Sequence, residues 1–455
     1  MTRTAFVDVT KRLAEFAVET RYSDLPAVVV EKGKERILDT LGCMIAGCRE
    51  ALASLMVKYA EEMGGRPEAT IVGFGHKTNA TNAALVNGTL GHALDFDDTQ
   101  LSFSGHPSTV LFPAALSLGE KMNRSGEAIL EAFLIGFEVA CKIGRGVNPN
   151  LYNNGWHATS VVGVLGAAVT AGKLIELTPG EMASALGLAA SQACGLKENF
   201  GTMTKPLHAG RAAESAVLSA LLAKNGFTAS QRILEAKRGF CATFSGKYDL
   251  DSMVDKLGNP YDIVSPGVHT KPYPSCLMSH SIIDATRFLV ESHGIRPEDV
   301  DSVECGIPPM ASDALIHPNP QTGLQGKFSA PYVVAVSLLA PKVSLEQFTD
   351  EKVRDSKARA LMEKVKVTVR PEIKGDPPPA IVRIRLKGGQ EHTKRVDIAT
   401  GNPQKPMSLD QMIDKFRSCA ETMIAPKYID ASIDRVLHFE RLKTVDELVA
   451  LIVKR

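Results

Sequence analysis

The chain has 455 residues, 44% of them hydrophobic and 23% charged, and its 52 basic and 51 acidic side chains give a formal net charge of +1. This length predicts two or three domains, and the balanced charge argues against a nucleic-acid binder that works through a basic field. Eight scattered cysteines without a Cys-x-x-Cys pair favour buried, reduced thiols over a zinc or iron–sulfur site.

Helical patterns run almost without interruption to about residue 235. Helices are predicted at residues 1–19, from 24 onward, and at 52–63, 78–94, 109–123, 126–145, 158–174, 180–195 and 206–225, with a β-like interruption at 69–73. Alanine and glycine lie on several faces of these helices, which predicts a deeply packed all-α domain. The N-terminal helix is amphipathic and unlike a signal peptide, and no apolar run is long enough for a bilayer, so a cytoplasmic protein without membrane association is expected.

The helical pattern ends near Tyr261, where several prolines lie in a connecting segment. Strands are predicted at 300–306, 365–369, 381–386 and 391–396, the last two as a hairpin, and helices at 279–292, 330–340 and 355–364. Strands interleaved with helices predict a smaller α+β domain. Helices at 408–423 and 444–453 are expected to return to the first domain, which makes the smaller domain an insertion.

The polar run from His92 to Ser108 lies between two apolar helices. It contains Asp95, Asp97, Asp98 and two imidazoles. A helix-capping turn uses these residue types, and so does a catalytic loop held between packed elements. A Mg²⁺ site built on the three carboxylates is a third interpretation.

Two other segments carry candidate groups. His157 precedes an Ala/Gly-rich helix, where capping competes with a role at an anion site. Lys205 comes before Pro206, which is predicted as the first helical residue, and His208 and Arg211 follow at i, i+3 spacing. Such a group of cationic side chains at a helix N-terminus favours carboxylate or phosphate binding over a solvated basic face, because the neighbouring residues are small and apolar.

Two further candidates follow in the second half of the chain. Lys271 lies among prolines at the predicted domain junction, where a ligand site competes with a rigid linker. Tyr332 lies at the start of an apolar helix, where a tyrosine is usually buried in the core and has no functional role. No nucleotide-binding glycine motif, HExxH motif or nucleophile elbow is present, so no cofactor-binding fold is predicted.

Five ordered motifs resemble the MmgE/PrpD family, which contains 2-methylcitrate dehydratase, cis-aconitate decarboxylase and iminodisuccinate epimerase. The motifs are His92-Ala-Leu-Asp-Phe-Asp-Asp-Thr99 with His106-Pro-Ser108, Gly155-Trp-His157, Thr204-Lys-Pro-Leu-His-Ala-Gly210, Lys271-Pro-Tyr-Pro-Ser-Cys276 and Phe328-Ser-Ala-Pro-Tyr332. The resemblance covers essentially the whole chain.

The resemblance implies a mainly α fold, with a large all-helical domain (1–267 plus 404–455) and an inserted α+β lid domain (268–403). It also implies a homodimer, a small carboxylate substrate, and chemistry without metal or organic cofactor. The pocket residues implied by decarboxylase members are Asp95, Thr99, His106, His157, Lys205, Lys271 and Tyr332.

The resemblance implies a lyase that forms or quenches a carbanion beside a carboxylate. Lys205, Lys271 and His106 are expected to stabilise the negative charge, and His157 to exchange the proton, with Asp95 as a rival base. Asp97 and Asp98 are expected to act only as turn and cap. Dehydration of a citrate-type acid is favoured over decarboxylation of an aconitate-type one. An epimerase and a non-catalytic, dicarboxylate-binding dimer are the other hypotheses.

Overall fold

The computed structural model describes residues 8–375, 377–421 and 423–454, and it is mainly α-helical. The chain divides into two compact units. Unit 1 comprises the residues up to Ala93, Asp97–Val268 and those from Ser408 onward, and unit 2 comprises Leu94–Phe96 and His269–Met407. The domain boundaries predicted from the sequence were 267/268 and 403/404, and the short segment 94–96 had not been expected in unit 2.

Helices of ten or more residues are numbered in chain order across the described residues. They are α1 Val9–Glu19, α2 Ala27–Gly47, α3 Ala51–Met63, α4 Ala80–His92, α5 Ser108–Lys121, α6 Gly126–Val147, α7 Gly163–Leu174, α8 Pro179–Ser191, α9 Thr204–Lys224, α10 His280–His293, α11 Ala330–Leu339, α12 Leu409–Ala420 and α13 Pro426–Leu437. Shorter helices span Asn150–Asn153, Ala158–Val161, Phe240–Phe244, Pro309–Ala314, Gly323–Gly326, Asp350–Arg354, Ser356–Met362 and Asp446–Val449.

The strands are few and short. They are β1 Ala69–Thr70, β2 Lys77–Thr78, β3 Val300–Ile307, β4 Val365–Val369, β5 Ala380–Leu386 and β6 Glu391–Val396. In unit 1, β1 and β2 pair antiparallel with Ala69 opposite Thr78. Strand β1 confirms the β-like interruption predicted at 69–73, whereas its partner β2 was not predicted. Glu120 accounts for the local structure, because its carboxylate accepts hydrogen bonds from the Thr70 amide at 2.7 Å and the Thr70 hydroxyl at 2.6 Å.

Helices α4 and α9 of unit 1 run antiparallel in close backbone contact, made possible by two glycines. A Cβ atom on Gly88 would lie 2.8 Å from the Gly210 Cα, and one on Gly210 would overlap the Leu85 carbonyl oxygen. Only glycine therefore allows this approach. The contact brings the C-terminal end of α4, at His92, to the N-terminal turn of α9, which contains Lys205.

Some predicted helix ends were wrong. Helix α9 begins at Thr204, so Pro206 lies within the first turn and not at its first position. The segment predicted as one helix from 158 to 174 breaks at Val162 into two. The predicted helix at 444–453 is reduced to Asp446–Val449, and residues 1–7 of the predicted N-terminal helix lie outside the described residues.

Unit 2 contains a four-stranded sheet in the order β4-β3-β5-β6. Strands β3 and β4 are parallel, whereas β5 pairs antiparallel with both β3 and β6. The predicted hairpin is confirmed, with Ala380 opposite Val396 and a turn that places Gly389 at a φ of 83°. Buried side chains of the sheet pack with α10 and α11 into one hydrophobic cluster. A lid function for this unit stays a prediction.

Among the described residues, no single helix combines the length and hydropathy that a bilayer-spanning segment requires. One pair, Ala27–Gly47 with Ala51–Met63, meets the criterion only when both helices are counted together, and it is bent by 88° at the break.

Candidate active site

The polar run from His92 to Ser108 folds as a connection between α4 and α5 whose carboxylates have separate partners. Asp98 accepts a hydrogen bond from the Ser108 hydroxyl at 2.5 Å and a longer one from the Ser108 amide at 3.4 Å. It therefore caps α5, as the sequence predicted. Asp97 instead contacts imidazoles, so the prediction that it acts only in the turn was wrong.

A tight turn holds Thr99 and His106 at its two ends. The amide of Gln100 donates to the Gly105 carbonyl at 2.9 Å, and the Gln100 side chain accepts from the Phe103 amide at 2.7 Å. The His106 amide donates to Thr159 Oγ1 at 3.2 Å. The backbone of His106 is thus fixed by the turn and by the short helix that follows His157.

Lys205, His92, Asp97 and His106 form a continuous array in unit 1. His92 Nε2 lies 2.9 Å from Lys205 Nζ, and His92 Nδ1 lies 2.9 Å from Asp97 Oδ2. The same Asp97 oxygen lies 3.4 Å from His106 Nδ1. One carboxylate therefore contacts two imidazoles, and the first of these contacts an ammonium group.

Burial and charge fix the protonation of this array at neutral pH. Burial lowers the pKa of His92 to about 3, and the positive charge of Lys205 contributes to this shift. For Asp97, burial alone would raise the pKa of the carboxyl, but the neighbouring His92 and His106 hold it well below its usual value. The array therefore combines a carboxylate and a neutral His92 imidazole beside the Lys205 side chain.

His157 and His208 form a second pair of rings beside this array. Their Nδ1 atoms lie 3.1 Å apart, and the His157 ring centroid lies 5.6 Å from that of His92. Both side chains are buried. Burial, followed by the charge of Lys205, lowers the pKa of His157 well below its usual value and that of His208 to about 4. Both rings are therefore neutral at pH 7.

Thr99 contributes a buried hydroxyl whose Oγ1 has no hydrogen-bond partner among the described residues. Buried polar atoms are nearly always satisfied, so an unsatisfied one in a polar cluster is typical of a ligand site. This agrees with the substrate-binding role predicted for Thr99, which stays a prediction.

Asp95 and Lys271 form an ion pair within unit 2. Lys271 Nζ lies 2.9 Å from both the carboxylate and the carbonyl oxygen of Asp95, and both side chains are buried. Asp95 has a φ of 50°, a left-handed conformation that non-glycine residues rarely adopt and that clusters at functional sites. Buried Lys327, which the sequence analysis did not select, donates to the carbonyls of Leu94 and Pro274 at 2.6 and 2.9 Å.

The predicted site residues Tyr332 and Arg211 have partners that were not among the predicted site residues. The Tyr332 hydroxyl donates to the Gln347 carbonyl, and its ring lines a cavity of about 400 Å³ in unit 2. Arg211 pairs with Glu214 at 2.6 Å, and its side chain is 49% exposed. The array and the imidazole pair described above therefore include His208 but not Arg211, although the i, i+3 spacing predicted one face for both.

A cation would meet a competing charge in unit 1. His92, Asp97 and His106 could each offer a ligand atom, and these atoms lie within 4.8 Å of one another. The Lys205 ammonium, however, already lies at His92 Nε2. Lys205 would therefore compete with a cation for this donor set.

His92 lies in the first motif, but no role was predicted for it from the sequence. Its signal was present, because a histidine at the end of an apolar helix, five residues before an aspartate, can turn back on that carboxylate. The conformation of the intervening segment decides whether the two meet, and spacing alone does not give it.

The helical unit contains a buried array of a lysine, two histidines and an aspartate. The MmgE/PrpD N-terminal domain model matches residues 11–253, and the MmgE/PrpD C-terminal domain model matches residues 273–438. The chain therefore belongs to the MmgE/PrpD family.

Named relatives are lyases of two kinds. The chain is 28% identical to the cis-aconitate decarboxylase of Mus musculus over 98% of its own length and 93% of the relative's. It is 27% identical to the cis-aconitate decarboxylase of Aspergillus terreus, over 98% and 96%. It is also 27% identical to the 2-methylcitrate dehydratase of Salmonella typhimurium (strain LT2), over 72% of this chain and 71% of that protein.

Proposed function

We propose that the protein is a cofactor-independent lyase for a small tricarboxylic acid and that its reaction is decarboxylation of a cis-aconitate-type substrate. The observation that carries the proposal is the buried Lys205 ammonium with His92, His157 and His208 around it in unit 1. Family membership supports a lyase, and relatives named cis-aconitate decarboxylase match along 98% of the chain.

The chemistry needs a positive group beside a developing carbanion. When the bond to the departing carboxyl carbon breaks, carbon dioxide leaves. The electron pair of that bond spreads over the adjacent double bond and a second carboxylate. The Lys205 ammonium stabilises this charge better in a buried site than in water. A proton then adds to the far carbon of this allylic system, the one beside the second carboxylate, and completes the reaction.

His157 supplies that proton in this mechanism. A bound carboxylate favours protonation of this ring, and the imidazolium then donates from Nε2 to the substrate carbon and returns to the neutral imidazole, with His208 Nδ1 as the hydrogen-bond partner of its Nδ1 at 3.1 Å. His106 and Thr99 bind substrate oxygens. Lys271, Asp95, Tyr332 and Arg211 stay predicted site residues.

Dehydration of a 2-methylcitrate-type or citrate-type hydroxy acid is the second candidate. It is favoured by the relatives of that name, which match 72–74% of the chain. The same groups would serve, because removal of a proton next to a carboxylate creates an enediolate that an ammonium group stabilises.

The experiment is incubation of the purified protein with cis-aconitate, 2-methylcitrate and citrate, monitored by carbon dioxide release and ultraviolet absorbance. We expect carbon dioxide from cis-aconitate. Alkene formation without carbon dioxide selects the dehydratase, and solvent deuterium incorporation without either product selects an epimerase. Ligand-induced stabilisation without any turnover or exchange supports a non-catalytic carboxylate binder, and no response to any acid overturns the proposal.

The family resemblance also leads us to propose a homodimer. Light scattering of the purified protein tests this, with twice the chain mass expected and the mass of a single chain as the contradicting result.

A further inference from the structure

His92 is the last residue of α4, and both nitrogens of its ring contact other side chains. Nε2 contacts Lys205 Nζ at 2.9 Å and Nδ1 contacts Asp97 at 2.9 Å, while the ring is only 1% exposed. A ring enclosed in this way has no nitrogen left for a substrate. Whatever it contributes to chemistry must pass through its two partners.

The direction of these hydrogen bonds follows from the chemistry of the groups. An ammonium group has donors and no acceptor, so His92 Nε2 must accept from Lys205. The proton of the neutral ring is then on Nδ1, which donates to the Asp97 carboxylate. The array is thus polarised from the carboxylate through the ring to the ammonium, and one N–H bond of Lys205 has a fixed direction.

Asp97 also acts on a second group. Its Oδ2 lies 3.4 Å from His106 Nδ1, and the His92 and His106 ring centroids are 4.5 Å apart. The carboxylate is fully buried, so its charge acts at short range and with little screening. The same carboxylate thus lies against both imidazole rings.

We infer that His92 and Asp97 are positioning residues: through the Asp97–His92–Lys205 array they fix the direction and charge of the Lys205 ammonium, and through Asp97 they orient His106. The inference rests on the proposed function, in which Lys205 and His106 meet the substrate. Groups that orient a ligand-binding side chain typically affect affinity or activity by about 10- to 100-fold when replaced.

The first test compares Asp97→Asn with Asp98→Asn. The two aspartates are neighbours in sequence and fully buried, but Asp98 contacts Ser108 and caps α5. We expect Asp97→Asn to lower kcat/KM by about 10- to 100-fold and Asp98→Asn to leave it within about threefold. Equal effects of both substitutions would overturn the inference.

The second test is His92→Ala with added imidazole. Imidazole that enters the vacated space can again accept from Lys205 and donate to Asp97, so we expect kcat to recover as the imidazole concentration rises, with a smaller change in KM. A misfolded variant would not respond. A folded His92→Ala protein with wild-type kcat, or one insensitive to imidazole, contradicts the inference.

The third test does not require turnover. Acetic anhydride labelling, read by peptide mass spectrometry, reports how readily Lys205 reacts as a free amine. Loss of the carboxylate behind His92 should increase labelling of Lys205 several-fold in Asp97→Asn relative to Asp98→Asn. Equal labelling of the two variants overturns the array. Increased labelling in Asp97→Asn, together with no turnover of any carboxylic acid by the wild-type protein, would reject the proposed function alone.

Discussion

The Nδ1 atoms of His157 and His208 lie 3.1 Å apart in the interior of unit 1. Two neutral imidazoles at this distance share one hydrogen bond, so one ring carries its proton on Nδ1 and the other does not. If His208 is the donor, the proton of His157 is on Nε2, where it is ready for transfer.

His208→Asn and His208→Phe separate this role from simple packing. The asparagine amide can donate from a position close to that of the imidazole Nδ1, whereas phenylalanine fills the space without a donor. We expect His208→Phe to lower kcat by about 100-fold, the lower range for loss of an acid–base contribution, and His208→Asn to retain most activity. Equal kcat values in steady-state assays of the two variants would contradict the tautomer assignment.

The close approach of α4 and α9 should be needed for both stability and activity. In Gly210→Ala the new methyl group would overlap the Leu85 carbonyl and the Thr89 hydroxyl, so the helices must separate near Lys205 and His92. We expect the free energy of unfolding to fall by about 3 kcal/mol, as for overpacked cores, together with a loss of activity.

Gly180→Ala is the matched control for this change. Gly180 lies in the first turn of α8, and a Cβ atom there would meet nothing within 4 Å. Denaturant unfolding should show the control unchanged or stabilised by up to about 1 kcal/mol. A Gly210→Ala protein as stable and active as the control would argue against the packing described.

Asp98 should make stability depend on pH. Burial raises its pKa from 3.8 to about 7 in the folded protein, so the folded state binds a proton that the unfolded state releases between these values. The contribution of Asp98 to the free energy of unfolding is present at low pH and is lost as the pH rises through about 7. Asp98→Asn should therefore gain about 3 kcal/mol relative to wild type between pH 5 and pH 8. A constant difference in free energy of unfolding across this range would contradict the prediction.

Substrate binding should take up protons. His157 and His208 have lowered pKa values because burial and then the Lys205 charge oppose their protonation. A bound carboxylate adds negative charge beside them and raises those pKa values, so protons enter with the ligand. Titration calorimetry in buffers of different ionisation enthalpy should show net uptake for wild type and less for His157→Gln. Zero uptake or proton release contradicts the charge assignment.

Helical periodicity predicted most long elements of the chain, and the alternating pattern predicted the β5–β6 hairpin. Those patterns are local, which is why the sequence predicted these elements. The roles of His92 and Asp97 were not predicted, because they depend on how α4 ends and on how closely Gly88 allows α9 to approach. Tyr332 was selected from its motif, but the direction of its hydroxyl towards the Gln347 carbonyl depends on tertiary packing.

The role of the Lys205 ammonium in the proposed mechanism is to stabilise the charge that develops on the substrate. Its most direct test is kcat/KM of Lys205→Met on the acid that the wild-type protein consumes, with circular dichroism to verify folding. We expect a loss of about 1,000-fold, the range for removing a donor aimed at a developing negative charge. A folded variant with kcat/KM within a few-fold of wild type would contradict the account.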